Sequence, residues 1–183
     1  MDERIHAHTC TFGEMMRHCF SSVRDNAFHY RLRVAIERQS EVKSCFLNAG
    51  HRKRFYHSLA QMRRANYNLI SQIFLLSAHE SLWHMVKKAI QRNGVDYTSF
   101  ETEKQNFGAK ENLLFVTALY FEYGSTHLSF MDLSDEEIVD FDVFRLICYA
   151  IAIRFYGMDA IELGERNYTR HMNHKRREMR VNE

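Results

Sequence analysis

The sequence predicts a mainly α fold with a minor strand component (α+β), in which a compact helical domain surrounds one buried central helix. Three observations support this fold class. The 183 residues include no proline and only seven glycines, so the chain has few of the residues that turns between strands require. The apolar fraction of 45% is that of an ordinary globular domain. Residues 140–157, DFDVFRLICYAIAIRFYG, are apolar or aromatic on every side apart from a few charges.

The segment 140–157 is the predicted central helix. It is too short and too polar to cross a membrane, so its apolar surface indicates burial in a domain core. The same residues also alternate as a strand would, at Ile147, Tyr149, Ile151, Ile153 and Phe155. Helix is favoured because the run is long for a strand, because Asp140 or Asp142 can cap its start, and because Gly157 stands where a C-cap belongs.

Three regions are expected along the chain. They are an N-terminal helix–strand appendage (1–44), a helical core domain (45–163) and a basic flexible tail (164–183). Within the core domain, helices are predicted from residue 46 onwards, at 69–76, from a capping-box pattern at 77–80 up to Asn93-Gly94, and at 111–123.

Two patterns define the N-terminal region. Thr11 and Glu14 fit a capping box, which predicts a helix directly behind them. Residues 28–36 then alternate between apolar and polar, which predicts a β-strand. A lone strand leaves its backbone groups unpaired, so it requires a partner. The candidates are residues 95–100, residues 128–131, or the same strand of a second copy, which would form a homodimer.

Charge and cysteine content limit the function classes. The net charge of +2 argues against an acidic nucleic-acid mimic and does not require a nucleic-acid partner. The four cysteines show no CxxC spacing, which is typical of free thiols in a reducing cytosol, and we see no signal peptide. We therefore expect a cytoplasmic protein with no membrane association. No glycine-rich phosphate loop or nucleophile elbow is visible, and we expect no cofactor, no metal and no catalytic residues.

Part of the chain resembles a family of short bacterial proteins. The resemblance rests on FLN (46–48) followed by HRKRF (51–55) and Leu59, then on IFLLSAHESLWHMVKKAI (73–90), GVD (94–96), a helix ending at Gly124, THLSFMDL (126–133) and FRLICYAIAIRFYG (144–157). That family is known only as a domain of unknown function, mostly on plasmids and integrative elements. The resemblance covers residues 46–161 and implies a helical module from a mobile genetic element. Small proteins from such settings include anti-CRISPR inhibitors of RNA-guided nucleases.

The first candidate site is a basic ribbon, defined as Arg24, His29, Arg31, Arg33 and Arg38. The middle three residues lie on the polar face of the predicted strand, and the outer two lie at its ends. A ribbon of this kind can contact phosphate backbones, with strong salt dependence. The alternative is a charged strand edge that prevents aggregation.

The second candidate site is an acidic run, defined as Asp132, Asp135, Glu136 and Glu137. Such a run fits a basic groove on a partner, for example the nuclease surface that normally holds DNA. The alternative is a solvated helix entry, because acidic residues are favoured at the N-terminal end of a helix.

Two histidine clusters are weaker candidates for metal chemistry. Zinc accepts ligands such as His6, His8 and Cys10, but the alternating spacing is not that of a structural zinc site and a fourth ligand is not evident. His79, Glu80 and His84 do not form the H-E-x-x-H motif, and Glu80 is better explained as a helix cap.

Two further charge patterns remain. Asp25, Glu41 and Lys43 match the D…E-x-K pattern of nucleases, in which carboxylates hold Mg²⁺ and the lysine steadies the attacking water. That pattern should lie on paired strands. A second basic cluster is interpreted as an ordinary solvated helix face, and consists of Arg52, Lys53, Arg54, Arg63 and Arg64.

Three functions follow from these patterns. The first is a non-catalytic interaction protein of a mobile genetic element, an anti-CRISPR inhibitor that binds a CRISPR effector nuclease loaded with guide RNA. The second is a nucleic-acid-binding accessory protein. The third is a metal-dependent nuclease that uses Asp25, Glu41 and Lys43.

Overall fold

The computed structural model describes residues 1–42, 44–100, 108–124 and 129–165, with side chains described up to residue 98 in the second range. Its elements are α1 (Asp2–His6), α2 (Phe12–Cys19), α3 (Asn26–Val42), α4 (Ala49–Gln61), α5 (Tyr67–Leu76), α6 (Glu80–Val86), β1 (Ile90–Gln91), β2 (Gly94–Val95), a 3₁₀ turn (Tyr97–Phe100), α7 (Ala109–Tyr123), α8 (Phe130–Ser134), α9 (Phe141–Tyr156) and a final helical segment at 158–165. β1 and β2 form an antiparallel hairpin. The predicted mainly α class is confirmed.

The predicted central helix is α9, and its predicted ends are correct. The Asp140 carboxylate accepts a hydrogen bond from the Val143 N–H at 3.0 Å, which caps the first turn. Gly157 ends the helix with a φ of 57°, a left-handed conformation that side chains disfavour. A Cβ at that position would also collide with the Tyr67 ring.

A second helix, α5, is buried as completely as α9. Every residue from 69 to 76 is buried, and α5 packs against both α7 and α9. Its start is capped by Asn66, whose side chain accepts from the Leu69 N–H at 2.8 Å. The core is therefore a pair of crossing apolar helices, with the other elements packed around the pair.

The strand predicted at 28–36 is wrong, because these residues belong to helix α3. The Asp25 carboxylate accepts from the Phe28 N–H at 2.7 Å and so starts a helix. Phe28, Leu32 and Ala35 are buried at helical spacing, whereas Tyr30 is 58% exposed although strand alternation would bury it.

The pairings proposed for that strand fail with it. β2 pairs with β1, and not with residues 28–36. The other segment, 128–131, begins outside the described residues and continues into α8. A homodimer through a strand at 28–36 has no basis in this fold.

The N-terminal helices share one hydrophobic core with the rest of the described chain. The capping box predicted at Thr11 and Glu14 is confirmed, with a Glu14 oxygen 2.7 Å from the Thr11 N–H. Phe12 meets the Tyr149 ring edge-on at 5.0 Å between centroids. The division at residue 44 stays a prediction, as does the tail, most of which lies outside the described residues.

The capping box predicted at residues 77–80 is wrong. Ser77 ends α5, and its hydroxyl donates to the Phe74 carbonyl at 3.3 Å. α6 starts three residues later with His79 in the cap position and no side-chain bond to the helix. Helix α6 ends at Val86, and the chain turns into the hairpin before the predicted stop at Asn93-Gly94.

Two further expectations concern cysteines and membranes. All four cysteines are unpaired, in agreement with the free thiols predicted from their spacing. In the part of the chain that the structure describes, every helix is too short or too polar to span a bilayer.

His51 joins α4 to α5 inside the core and is fully buried. Its Nε2–H donates to the Phe74 carbonyl at 2.8 Å, while its Nδ1 accepts from the Leu47 N–H at 3.1 Å. These two bonds require the neutral ring. Burial lowers the pKa of His51 to about 3.

We predict that His51 makes stability fall below pH 6.5. Between its ordinary pKa of 6.5 and its folded value of about 3, the unfolded chain binds a proton that the folded chain does not. The free energy of unfolding should therefore drop by about 2 kcal/mol more between pH 7 and pH 5 in the natural protein than in His51→Gln. Urea denaturation of both proteins at the two pH values measures this difference, and equal pH dependence would contradict it.

Candidate functional site

Arg31, the centre of the predicted basic ribbon, is inside the protein. Its side chain is 3% exposed and donates to the carbonyls of Leu133 at 2.6 Å, Val139 at 2.6 Å and Asp135 at 3.3 Å. The guanidinium also lies 4.5 Å from the centroid of the Phe144 ring. Burial lowers the pKa of Arg31, and the nearby Glu136 opposes that shift. Arg31 therefore links α3 to the 133–139 segment, and its buried side chain is not accessible to a phosphate.

The other ribbon residues do not form one face either. A helix advances by about 100° per residue, so α3 separates positions that a strand would align. Arg33 is exposed and lies 4.0 Å from the Glu37 carboxylate, whereas Arg38 covers the Phe141 ring at 4.3 Å. His29 bonds the Val23 carbonyl at 2.7 Å, and Arg24 is exposed before the helix starts. Their role in partner binding stays a prediction, but the ribbon is not a continuous surface.

The acidic run lies at α8 and in the turn that follows it. Asp132 completes a capping box with Ser129, and the Ser129 N–H lowers the pKa of that carboxyl. Asp135 accepts from the Glu137 N–H at 2.8 Å. Glu136 and Glu137 are exposed. The run thus combines helix capping with two outward carboxylates, and Arg31 meets it only through backbone carbonyls.

The N-terminal histidines bind carboxylates from the other end of the described chain. His6 Nδ1 lies 2.7 Å from Asp159 Oδ2, and His8 Nε2 lies 2.8 Å from Asp159 Oδ1. Burial would raise the pKa of Asp159, but these two bonds lower it overall. Cys10 is buried. Among the described residues, no three or more His, Cys, Asp or Glu side chains are arranged to hold a metal ion. The same result applies to His79, Glu80 and His84.

The pattern proposed for a nuclease does not assemble. Asp25 precedes α3 and Glu41 lies in its last turn, so about 24 Å of helix separates them. The Phe28 N–H holds the pKa of Asp25 low as part of the helix cap. Lys43 lies outside the described residues. Two carboxylates at opposite ends of a helix cannot hold one metal ion, so the prediction of a nuclease site at these residues is wrong.

The second basic cluster separates into internal ties and surface charges. Arg54 donates to the carbonyls of Ser77 and Ala78 at 2.8 and 2.9 Å, which closes the end of α5. Arg52 lies 3.2 Å from the Glu165 carboxylate. Arg63, by contrast, is exposed and forms no ion pair with another described residue.

Arg63 belongs to a surface that the sequence does not bring together. The Arg63 N–H donates to the Arg92 carbonyl at 3.2 Å, which places the end of α4 against the β1–β2 turn. We define the basic surface as His57, Arg63, Lys87, Lys88 and Arg92, all of which are exposed. His57 lies in α4, and Arg63 follows the end of that helix. Lys87 and Lys88 precede β1, and Arg92 lies in the turn between β1 and β2.

Two adjoining concave sites lie on the basic surface. One has a volume of about 560 Å³ and is lined by Arg63 and Arg92, among others. The other, of about 440 Å³, is lined by His57, Lys87 and Lys88. Gln61 and Ile90 line both sites, so the two are contiguous, and the described residues of both linings include no carboxylate.

The chemistry of the basic surface suits a polyanion. In the described residues no Asp or Glu oxygen lies within 4.0 Å of its Lys and Arg nitrogens, so no described carboxylate pairs with these charges. Lys87 Nζ lies 3.1 Å from His84 Nδ1, which orients it along the surface. Trp83 lines the smaller concave site and is partly buried, so an aromatic ring lies beside the cations.

Of the residues in this surface, only Arg63 belongs to a basic cluster named from the sequence, and that cluster is interpreted there as a solvated helix face. Lys87, Lys88 and Arg92 form a visible basic group in the sequence, but they lie more than twenty positions beyond Arg63. The contact between α4 and the hairpin turn is what joins the two groups.

Comparison of this chain with protein-family models, with curated proteins and with solved structures finds no match in any of the three. The resemblance to a mobile-element family therefore stays a prediction.

We predict that Arg31→Met lowers the free energy of unfolding by about 3 kcal/mol, because it leaves buried carbonyls without a donor. Arg33→Met is the matched control, since Arg33 is exposed on the same helix, and it should change stability by about 0.5 kcal/mol or less. Chemical denaturation of the three proteins measures both values. Similar stability of the two variants would show that Arg31 does not tie the 133–139 segment.

Proposed function

We propose that this protein is a non-catalytic interaction protein that binds a nucleic-acid-containing partner through the basic surface. The observation that supports this proposal is the convergence of four Lys and Arg side chains from two parts of the chain around contiguous concave sites, whose described lining residues include no carboxylate. Unpaired cations of this kind attract phosphates and release counterions when they bind them.

The resemblance to mobile-element proteins narrows the partner within this proposal. A CRISPR effector nuclease loaded with guide RNA presents RNA phosphates and positively charged nucleic-acid channels together. The basic surface is complementary to the RNA phosphates, and the exposed Glu136 and Glu137 are complementary to the positively charged channels. The protein then acts as an anti-CRISPR inhibitor that occupies a site the nuclease needs for its own nucleic acid.

A nucleic-acid-binding accessory protein is the second candidate. The presence of Trp83 beside the cations favours it, because base stacking on an aromatic ring supports binding of free single strands. The two candidates differ in what is bound: an accessory protein binds naked nucleic acid tightly, whereas an inhibitor needs the nuclease surface as well.

We predict salt-dependent binding through the basic surface. Four phosphate contacts to a single strand correspond to a loss of affinity of about 50-fold between 50 and 200 mM salt. The triple variant Lys87→Ala, Lys88→Ala, Arg92→Ala should bind at least about tenfold more weakly at low salt. Fluorescence anisotropy with a labelled single-stranded oligonucleotide measures both effects.

The matched control for that experiment is the triple variant Arg17→Ala, Lys53→Ala, Lys110→Ala, which removes the same number of exposed charges outside both the basic surface and the predicted ribbon. It should bind like the natural protein. An equal loss in the two triple variants would show that net charge alone governs binding, and flat titrations at low salt would remove the accessory-protein candidate.

We also predict inhibition of a guide-loaded effector nuclease. Cleavage of a target duplex should fall as the protein is added in excess, and the triple variant of the basic surface should inhibit less because its contact with RNA phosphates is weakened. Reversal of the acidic turn in Glu136→Lys, Glu137→Lys tests the second contact. Unchanged cleavage across several effectors at large excess would reject the inhibitor.

A further inference from the structure

A second concave site lies away from the basic surface, where α2, α7, α8 and α9 meet. It has a volume of about 780 Å³, which is within the range of sites that hold small molecules. Its walls are mostly apolar and include Val116 and Tyr120 of α7, Ile147 and Ile151 of α9, and Phe130 of α8. We call this site the apolar cleft.

The rim of the apolar cleft exposes aromatic rings to solvent. Phe155 is 59% exposed and Phe130 is 43% exposed, although both are large apolar side chains at a site where deeper neighbours are buried. Exposed rings around a concave apolar site indicate a binding site more often than an isolated surface residue does.

Among the described residues that line the apolar cleft, Arg154 is the one with a charged side chain. Its guanidinium lies 5.1 Å from the centroid of the Phe121 ring. No carboxylate of the described residues lies within 4.0 Å of it, so its charge is not neutralised there. An arginine fork at an apolar site recognises a carboxylate well, because it offers two parallel N–H donors.

The apolar cleft is also lined by a few polar side chains, namely those of Ser22, Asn112, Thr117, Tyr120 and Ser129. The Thr117 hydroxyl donates to the Leu113 carbonyl at 2.7 Å, and Ser129 caps α8 through its bonds with Asp132. A ligand therefore meets mostly apolar walls, a few polar side chains and, among the described lining residues, one cationic group.

From this geometry we infer that the apolar cleft binds a free fatty acid, with its alkyl chain between α7, α8 and α9 and its carboxylate at Arg154. Walls from four helices enclose a compact ligand better than they receive a long partner helix, which needs an open trench between two helices. The single cation selects one anionic head group. This inference is independent of the proposed function, because the two sites share no lining residue.

The experiment uses the full chain and three probes of equal chain length: laurate, dodecanol and dodecylamine, each below its micelle concentration. Displacement of a dansylated undecanoic acid measures binding. Laurate should bind saturably, at one molecule per chain, and about tenfold or more tighter than dodecanol, with dodecylamine weakest.

Two variants assign the binding to this cleft. Arg154→Gln should reduce the affinity for laurate to that for dodecanol and leave the affinity for dodecanol unchanged. Arg33→Gln, at an exposed position of α3, should change neither affinity. Val116→Phe should weaken all three probes by filling the cleft, and Ile151→Phe repeats this test if the first variant unfolds on heating earlier than the natural protein.

Several results would overturn the inference. One is the absence of saturable laurate binding. Another is equal affinity for laurate and dodecylamine, which would mean nonspecific adsorption to the exposed aromatic rim. A third is full laurate affinity in both Arg154→Gln and a folded filling variant, which would place the ligand elsewhere.

Discussion

Two helices without a polar face determine how the rest of this chain folds. α5 and α9 carry apolar residues on every side, so most of their surface must be covered, and the other described elements pack around them. The few polar groups within this pair must then be bonded internally. Gln72 shows how: its amide donates to the Glu122 carboxylate at 2.8 Å and accepts from the Tyr97 hydroxyl at 2.9 Å. The apolar pair and its enclosed polar bonds together fix one arrangement of the surrounding helices.

The sequence predicts α9 well because its signals are local. Asp140 and Gly157 lie directly at its two ends, and the apolar residues between them leave few alternatives. The pattern at 28–36 predicts a strand because its apolar residues happen to alternate, and that prediction misplaces Arg31 on a polar face. The carbonyls that accept from the buried Arg31 lie about a hundred positions away, so no short window of sequence shows that this side chain is inside.

The same limit applies to the candidate sites. Counting basic residues does not distinguish those that tie helices together from those that face solvent. Arg31 and Arg54 close the ends of other elements with their guanidinium groups, whereas Arg63 and Arg92 meet through a backbone bond that leaves both charges outside. The net charge of +2 conceals this segregation. The apolar cleft is also a product of packing, because each of its walls reads in the sequence as ordinary core.

The anchoring of the 133–139 segment has a consequence for how this protein can diversify. Arg31 holds that segment through main-chain oxygens, which every residue type supplies, while the Asp135 carboxylate shapes the turn and Glu136 favours the buried charge of Arg31. Glu137 and the exposed Ile138 are thus the positions where substitution leaves these anchors intact. Drift at these two positions would change the chemistry that the turn displays at little cost to folding, much as a fixed framework carries interchangeable recognition loops.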